Sequence, residues 1–133
     1  MTRRAACNCG QFVVTCEGEP PRISVCHCLE CQRRTASVFS SQAWFKREQI
    51  TDISGTFSEY KRLSDDGRSL TFRFCPICGS TVCWEAELFP DLMAIGVGSF
   101  ADPAFPGPKN SVWEKRRHHW VTLPSDPGIR HFD

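Results

Sequence analysis

Apolar residues fall along the chain in short bursts separated by turn formers, and within the bursts they alternate rather than follow a helical period. Residues 69–74 show this best, with Leu70, Phe72 and Phe74 on one side and Thr71 and Arg73 on the other. This two-residue repeat is that of a half-buried strand. Residues 11–17, with Phe12, Val13 and Val14, read as a further strand, as do residues 37–45, 57–61 and 80–86, while residues 92–99 form a nearly continuous apolar run. Breakers at Cys9-Gly10, Pro20-Pro21, Asp66-Gly67, Cys78-Gly79 and Pro103 to Pro108 keep the segments short. No stretch of a dozen residues keeps apolar positions three and four apart, and only residues 28–35 predict one or two helical turns. The pattern therefore predicts six or more strands in a mainly β, antiparallel fold. Residues 102–108 and the tail after Pro124 are expected to be irregular surface segments.

A chain of 133 residues can bury one sizeable core, so a single domain spanning 1–133 is expected. No internal repeat, low-complexity tract or linker divides it. The 41% hydrophobic and 23% charged fractions are ordinary for a folded protein, and a formal net charge of +1 gives no general attraction to nucleic acid or membrane. What stands out is nine cysteines, an odd number and several times the usual share. The first residues, Met-Thr-Arg-Arg-Ala-Ala, run straight into Cys7 with no apolar stretch that would serve as a signal peptide or membrane span. A reducing, cytoplasmic setting is expected, in which clustered cysteines hold metal or do chemistry rather than pair as cystines.

Seven of the nine form three groups: Cys7-x-Cys9, Cys26-x-Cys28-x-x-Cys31 and Cys75-x-x-Cys78, the last followed by Gly79. In an extended segment, side chains two apart face the same way, so Cys7 with Cys9, or Cys26 with Cys28, can turn toward one metal. In Cys75-x-x-Cys78 the chain folds back so that both sulfurs converge, and Gly79 permits the tight backbone this needs. Zinc suits such sulfur-rich sets. Spacing leaves two partitions open. Cys7 and Cys9 can join Cys75 and Cys78 in a closed site, leaving Cys26, Cys28 and Cys31 as a three-ligand site with a vacancy. Alternatively, Cys28 and Cys31 can pair with Cys75 and Cys78 as a zinc ribbon.

Cys7-Asn8-Cys9-Gly10, then Cys26-His27-Cys28-Leu29-Glu30-Cys31-Gln32-Arg33, then Phe74-Cys75-Pro76-Ile77-Cys78-Gly79-Ser80 resemble the glutathione-dependent formaldehyde-activating enzyme family, whose relatives include the centromere protein V group. The resemblance runs from about Cys7 to the Trp113–Trp120 region. It implies a zinc-holding β-tent. It also implies a structural zinc on Cys7, Cys9, Cys75 and Cys78, and a second, open zinc on Cys26, Cys28 and Cys31, which would be the catalytic residues. The activity implied is that of a carbon–sulfur lyase, joining glutathione and formaldehyde into S-hydroxymethylglutathione; the partners are then a small thiol and an aldehyde.

Three thiolates carry −3 against a metal's +2, so nearby cations matter, and Arg33 and Arg34 follow Cys31 directly. His27, between two ligands, is expected to face away from the metal in a structural or supporting role. Cys16 and Cys83 read as buried apolar thiols, Lys115-Arg116-Arg117-His118-His119 as a solvated basic turn, and Trp113 and Trp120 as core or pocket wall. The competing expectation is a non-catalytic, zinc-stabilised module binding protein or nucleic acid.

Overall fold

The alternating segments become short strands in the computed structural model, which describes residues 1–123 and 128–133. In chain order the elements begin with β1 (Thr2–Ala6), β2 (Val13–Glu17), β3 (Arg22–Cys26), α1 (Leu29–Thr35), β4 (Ser40–Lys46) and β5 (Ile50–Ser54). They continue with β6 (Ser58–Leu63), β7 (Ser69–Phe74), β8 (Thr81–Ala86), β9 (Leu92–Gly96), β10 (Asn110–Val112) and β11 (Arg130–His131). The mainly β expectation holds, with one short α-helix among the described residues.

The chain forms two compact units, each built from two separate segments. The first comprises Met1–Pro21 and Ala43–Phe105. Within it β1, β2 and β5 make an antiparallel sheet, and β6, β7, β8 and β9 an antiparallel meander. Phe72 sits opposite Trp84 across the β7–β8 hairpin, their ring centroids 5.6 Å apart. Trp44, Ala86 and Ala94 complete this core, with Leu70, Phe89 and Leu92 at its margin. Burying one such ring contributes roughly 1.5–3 kcal/mol, and Phe72 and Trp84 are both buried here. The apolar run at 92–99 departs from expectation: β9 stops at Gly96, and Val97–Phe100 wind into a 3-10 turn.

The second unit comprises Arg22–Gln42 and Pro106–Asp133. Here the pairing is parallel, β11 beside β10 and β10 beside β3. Short alternation cannot reveal this, because parallel partners lie far apart in sequence. Part of the tail expected to be irregular is instead strand β11; residues 124–127 lie outside the described residues. This unit contains every buried polar side chain among the described residues: Ser24, His27, Ser40, Gln42 and Ser111.

Candidate metal centres

The first unit brings together Cys7, Cys9, Cys75 and Cys78, whose sulfurs all lie within 4.8 Å of one another. Cys7 and Cys9 come from a turn after β1, closed by Gly10 N–H to Cys7 O at 3.0 Å. Their convergence is thus a turn property and not the strand alternation expected for an extended segment. Cys75 and Cys78 occupy the knuckle between β7 and β8. A β-bulge at Arg73/Phe74 precedes it, and Gly79 N–H donates to Cys75 O at 2.8 Å. Gly79 has φ +80°, the left-handed conformation its position demands. A metal–sulfur bond of about 2.3 Å puts tetrahedral sulfurs about 3.75 Å apart. The separations here are 3.6 Å for Cys7–Cys9 and 3.7 Å for Cys9–Cys75, so this donor set fits zinc.

Hydrogen bonds stabilise sulfur charge at this cluster. The Phe12 N–H donates to Cys7 Sγ at 3.2 Å. Cys75 Sγ accepts from Gln11 Nε2 at 2.9 Å and from the N–H of Ile77 at 3.4 Å. Burial raises the Cys75 thiol's pKa, but these bonds and that from the Cys78 N–H outweigh it, and the pKa falls below the usual value. The Ser80 hydroxyl and backbone N–H hold Cys78 down at about 5. Cys9 is pushed up to about 11: a backbone bond at Gln11 lowers it, but desolvation and the crowding sulfurs of Cys7, Cys75 and Cys78 prevail.

The second unit brings together Cys26, Cys28 and Cys31. Cys26 ends β3, Cys28 caps α1 by accepting from the Cys31 N–H at 3.2 Å, and Cys31 lies in the first helical turn. Cys26 and Cys31 are buried and Cys28 is half-buried. The Cys28 and Cys31 sulfurs are only 2.8 Å apart, so tetrahedral metal binding requires them to spread by about 1 Å. Cys26 is raised by hydrogen bonding with Cys28 and Cys31 and by burial. Cys31 is pushed up to about 11. Its bond with Cys26 lowers it, Cys28 and burial raise it, and the nearby Arg34 charge pulls back.

The remaining sequence candidates separate clearly. Arg33 is exposed and pairs with Glu30. Arg34 instead turns inward: its Nη2 donates to Ser40 Oγ at 2.7 Å, Ser40 donates to Gln42 Oε1 at 2.7 Å, and Gln42 Nε2 donates to Ser24 Oγ at 2.9 Å. His27 is fully buried, and its Nε2 lies 3.0 Å from Ser111 Oγ. Ser111 donates its one hydroxyl proton to Glu114 Oε2 at 2.6 Å, so it must accept from His27 Nε2–H. Burial lowers the basicity of His27; the Glu114 charge opposes this, and the Arg117 charge adds a smaller push in the same direction as burial. Cys16 and Cys83 are buried in β2 and β8, where burial pushes each up to about 11; neither joins a cluster. Lys115, Arg116, Arg117 and His119 are exposed, as expected, whereas His118 is half-buried and its Nε2 donates to Gln32 Oε1 at 2.9 Å. Trp120 is 63% exposed, not core, and stands edge-on to His118. Ser111, Glu114 and His131 were not singled out from the sequence. No spacing links them to the cysteines, since Ser111 lies 84 residues from His27.

Set beside known proteins, residues 2–116 match the sequence model of the glutathione-dependent formaldehyde-activating enzyme family. No curated protein matches. The crystal structure of a Rhodobacter sphaeroides protein, a Northeast Structural Genomics target, is similar over 100% of both chains, with a TM-score of 0.59 and 17% identity. That likeness is one of fold. With 115 of its 133 residues matched, the chain belongs to the glutathione-dependent formaldehyde-activating enzyme family.

Proposed function

We propose that this chain is a zinc-dependent carbon–sulfur lyase that joins a small thiol to an aldehyde or separates their adduct, with glutathione and formaldehyde as the pair its family points to. The observation that carries the proposal is the convergence of three cysteine sulfurs, from Cys26, Cys28 and Cys31, one donor short of a closed tetrahedron. In the forward direction the thiol sulfur bonds to the aldehyde carbon and the thiol proton ends on the oxygen, giving a hydroxymethyl thioether. A zinc ion held by the three sulfurs supplies Lewis acidity to this chemistry. The four-cysteine set, with zinc-like separations and its own N–H donors, takes the structural zinc.

The chain's residues have distinct parts in this proposal. Cys26 and Cys31 hold their sulfurs away from water, while Cys28 leaves one side partly exposed. The Arg34 guanidinium, directed inward by Ser40, offsets part of the thiolate charge near Cys31. His27 remains neutral and does not add charge. The match to residues 2–116 enters both compact units, supporting residues 1–133 as one domain of the family. A cytoplasmic location is part of the same proposal: none of the nine cysteines is in a disulfide. Among the described residues no helix is long and apolar enough to cross a membrane.

NMR exchange spectroscopy of formaldehyde, glutathione and their adduct tests the activity. Acceleration by wild type and its loss in Cys31→Ser are expected. No acceleration across several thiols overturns the lyase and favours a zinc-stabilised binding module.

A further inference from the structure

The peptide between Cys26 and Cys28 is held unusually firmly. His27 N–H donates to Val112 O at 3.1 Å, His27 O accepts from Gln32 Nε2 at 2.9 Å, and the ring bonds Ser111 Oγ at 3.0 Å. Any rotation of His27 moves one of these sulfurs relative to the other, so whatever fixes His27 fixes the cluster. Two of the anchors are main-chain bonds or come from α1. The third runs through side chains. Ser111 donates to Glu114 Oε2 at 2.6 Å, and that same oxygen accepts from His131 Nδ1 at 2.8 Å. Parallel pairing of β10 and β11 places Ser111 opposite His131, and Phe132 N–H donates to Ser111 O at 2.8 Å. Ser111 is fully buried, so its hydroxyl has a single way to satisfy both neighbours. The chain His27–Ser111–Glu114–His131 thus runs from between two of the three cysteines to a half-exposed strand at residues 130–131. His131 lies beyond the segment matched by the family model, which ends at residue 116.

We propose that Ser111, Glu114 and His131 are positioning residues of the three-cysteine site: through His27 they hold Cys26 and Cys28 at the separation from which a metal is captured and kept. The proposal rests on the reading that this cluster binds metal. Partners of this kind, outside the ligand set, typically change metal affinity by about 10–100-fold when removed.

The test uses the full chain, reduced and loaded with zinc, and follows metal release to a chromogenic chelator. Two phases are expected, and Cys28→Ser identifies the three-cysteine phase by abolishing it. Ser111→Ala should accelerate that phase about tenfold or more while leaving the four-cysteine phase unchanged. In the cobalt-loaded protein the visible ligand-field bands from the three-cysteine site should shift in the same variant. His131→Ala, a change at a half-exposed residue that spares the core, should accelerate the same phase several-fold, and His131→Gln, which retains an N–H donor for Glu114, should restore it. Unchanged release in both Ser111→Ala and His131→Ala overturns the positioning role, as does equal acceleration of both phases. A wild-type protein that holds a single metal overturns the metal-site reading itself, and the positioning role with it.

Discussion

The two cysteine clusters use the same donor atom but are built differently. The four-cysteine cluster lies in an antiparallel unit with an aromatic core, and its sulfur separations of 3.6 and 3.7 Å already suit tetrahedral zinc. Turn N–H groups aimed at its sulfurs stabilise the charge there. The three-cysteine cluster lies in a unit with parallel pairing, among all five buried polar side chains found in the described residues. Two of its sulfurs approach to 2.8 Å, and its support comes from side chains such as Arg34 and His27 rather than from a closed knuckle. Turn and knuckle hydrogen bonds within the first unit hold the first arrangement in place. The second is oriented by buried side-chain hydrogen bonds.

The largest expected difference follows from removing one sulfur on each side. Structural zinc contributes on the order of 10 kcal/mol, so Cys75→Ser should abolish folding, read as loss of the cooperative thermal transition. Cys28→Ser should retain that transition and about one zinc per chain. If Cys75→Ser folds normally, or Cys28→Ser unfolds, the assignment of one structural and one open site is reversed.

A smaller effect is expected at the knuckle. Gly79 has φ +80°, yet a Cβ there would meet no atom within 4 Å, so Gly79→Ala tests backbone strain without a clash. A cost of about 1 kcal/mol is expected in urea unfolding, with the three-cysteine release rate unchanged. Accelerated release from the three-cysteine site would show that the two clusters are not energetically separate.

The smallest effect concerns acid. Burial raises the Glu114 carboxyl, but hydrogen bonds from His131 and Ser111 and the charges of His131 and Arg117 outweigh it, holding the pKa below the usual 4.5. A depressed carboxyl pKa contributes stability above the unfolded value, and the contribution disappears as pH falls from 4.5 through the folded value. The urea-midpoint gap between wild type and Glu114→Gln should therefore shrink as pH falls below about 4.5. A gap independent of pH would remove Glu114 as a charged member of the chain to His27.

Local features were the legible ones. The segment read from Leu70, Phe72 and Phe74 matches the bounds of β7, although Phe72 alone is buried there, and Cys75-x-x-Cys78-Gly79 matches its knuckle, because each depends on neighbours within a few positions. Residues 28–35 foreshadowed α1, with Cys28 its cap. β1 went unnoticed because two arginines dominate it and Ala5 alone is fully buried there. β10 and β11 have three and two residues, too few for periodicity, and gain their form from parallel partners far away in sequence. Exposed Trp120 defied its hydrophobicity, in a segment tied to α1 by Gln32, which donates to Arg116 O and accepts from His118 Nε2. The cysteine groupings were visible as motifs, whereas the buried polar chains around Cys26, Cys28 and Cys31 exist only once the chain has folded.

The distance along the chain between Cys9 and Cys75 also imposes an order on synthesis. Cys75 follows 66 residues after Cys9, so at ordinary translation rates roughly 3–13 seconds separate them. In that interval Cys16, Cys26, Cys28 and Cys31 emerge, while the donors that complete the four-cysteine cluster have yet to be made. Until the β7–β8 knuckle is made, the four-cysteine cluster therefore has only two of its four sulfurs.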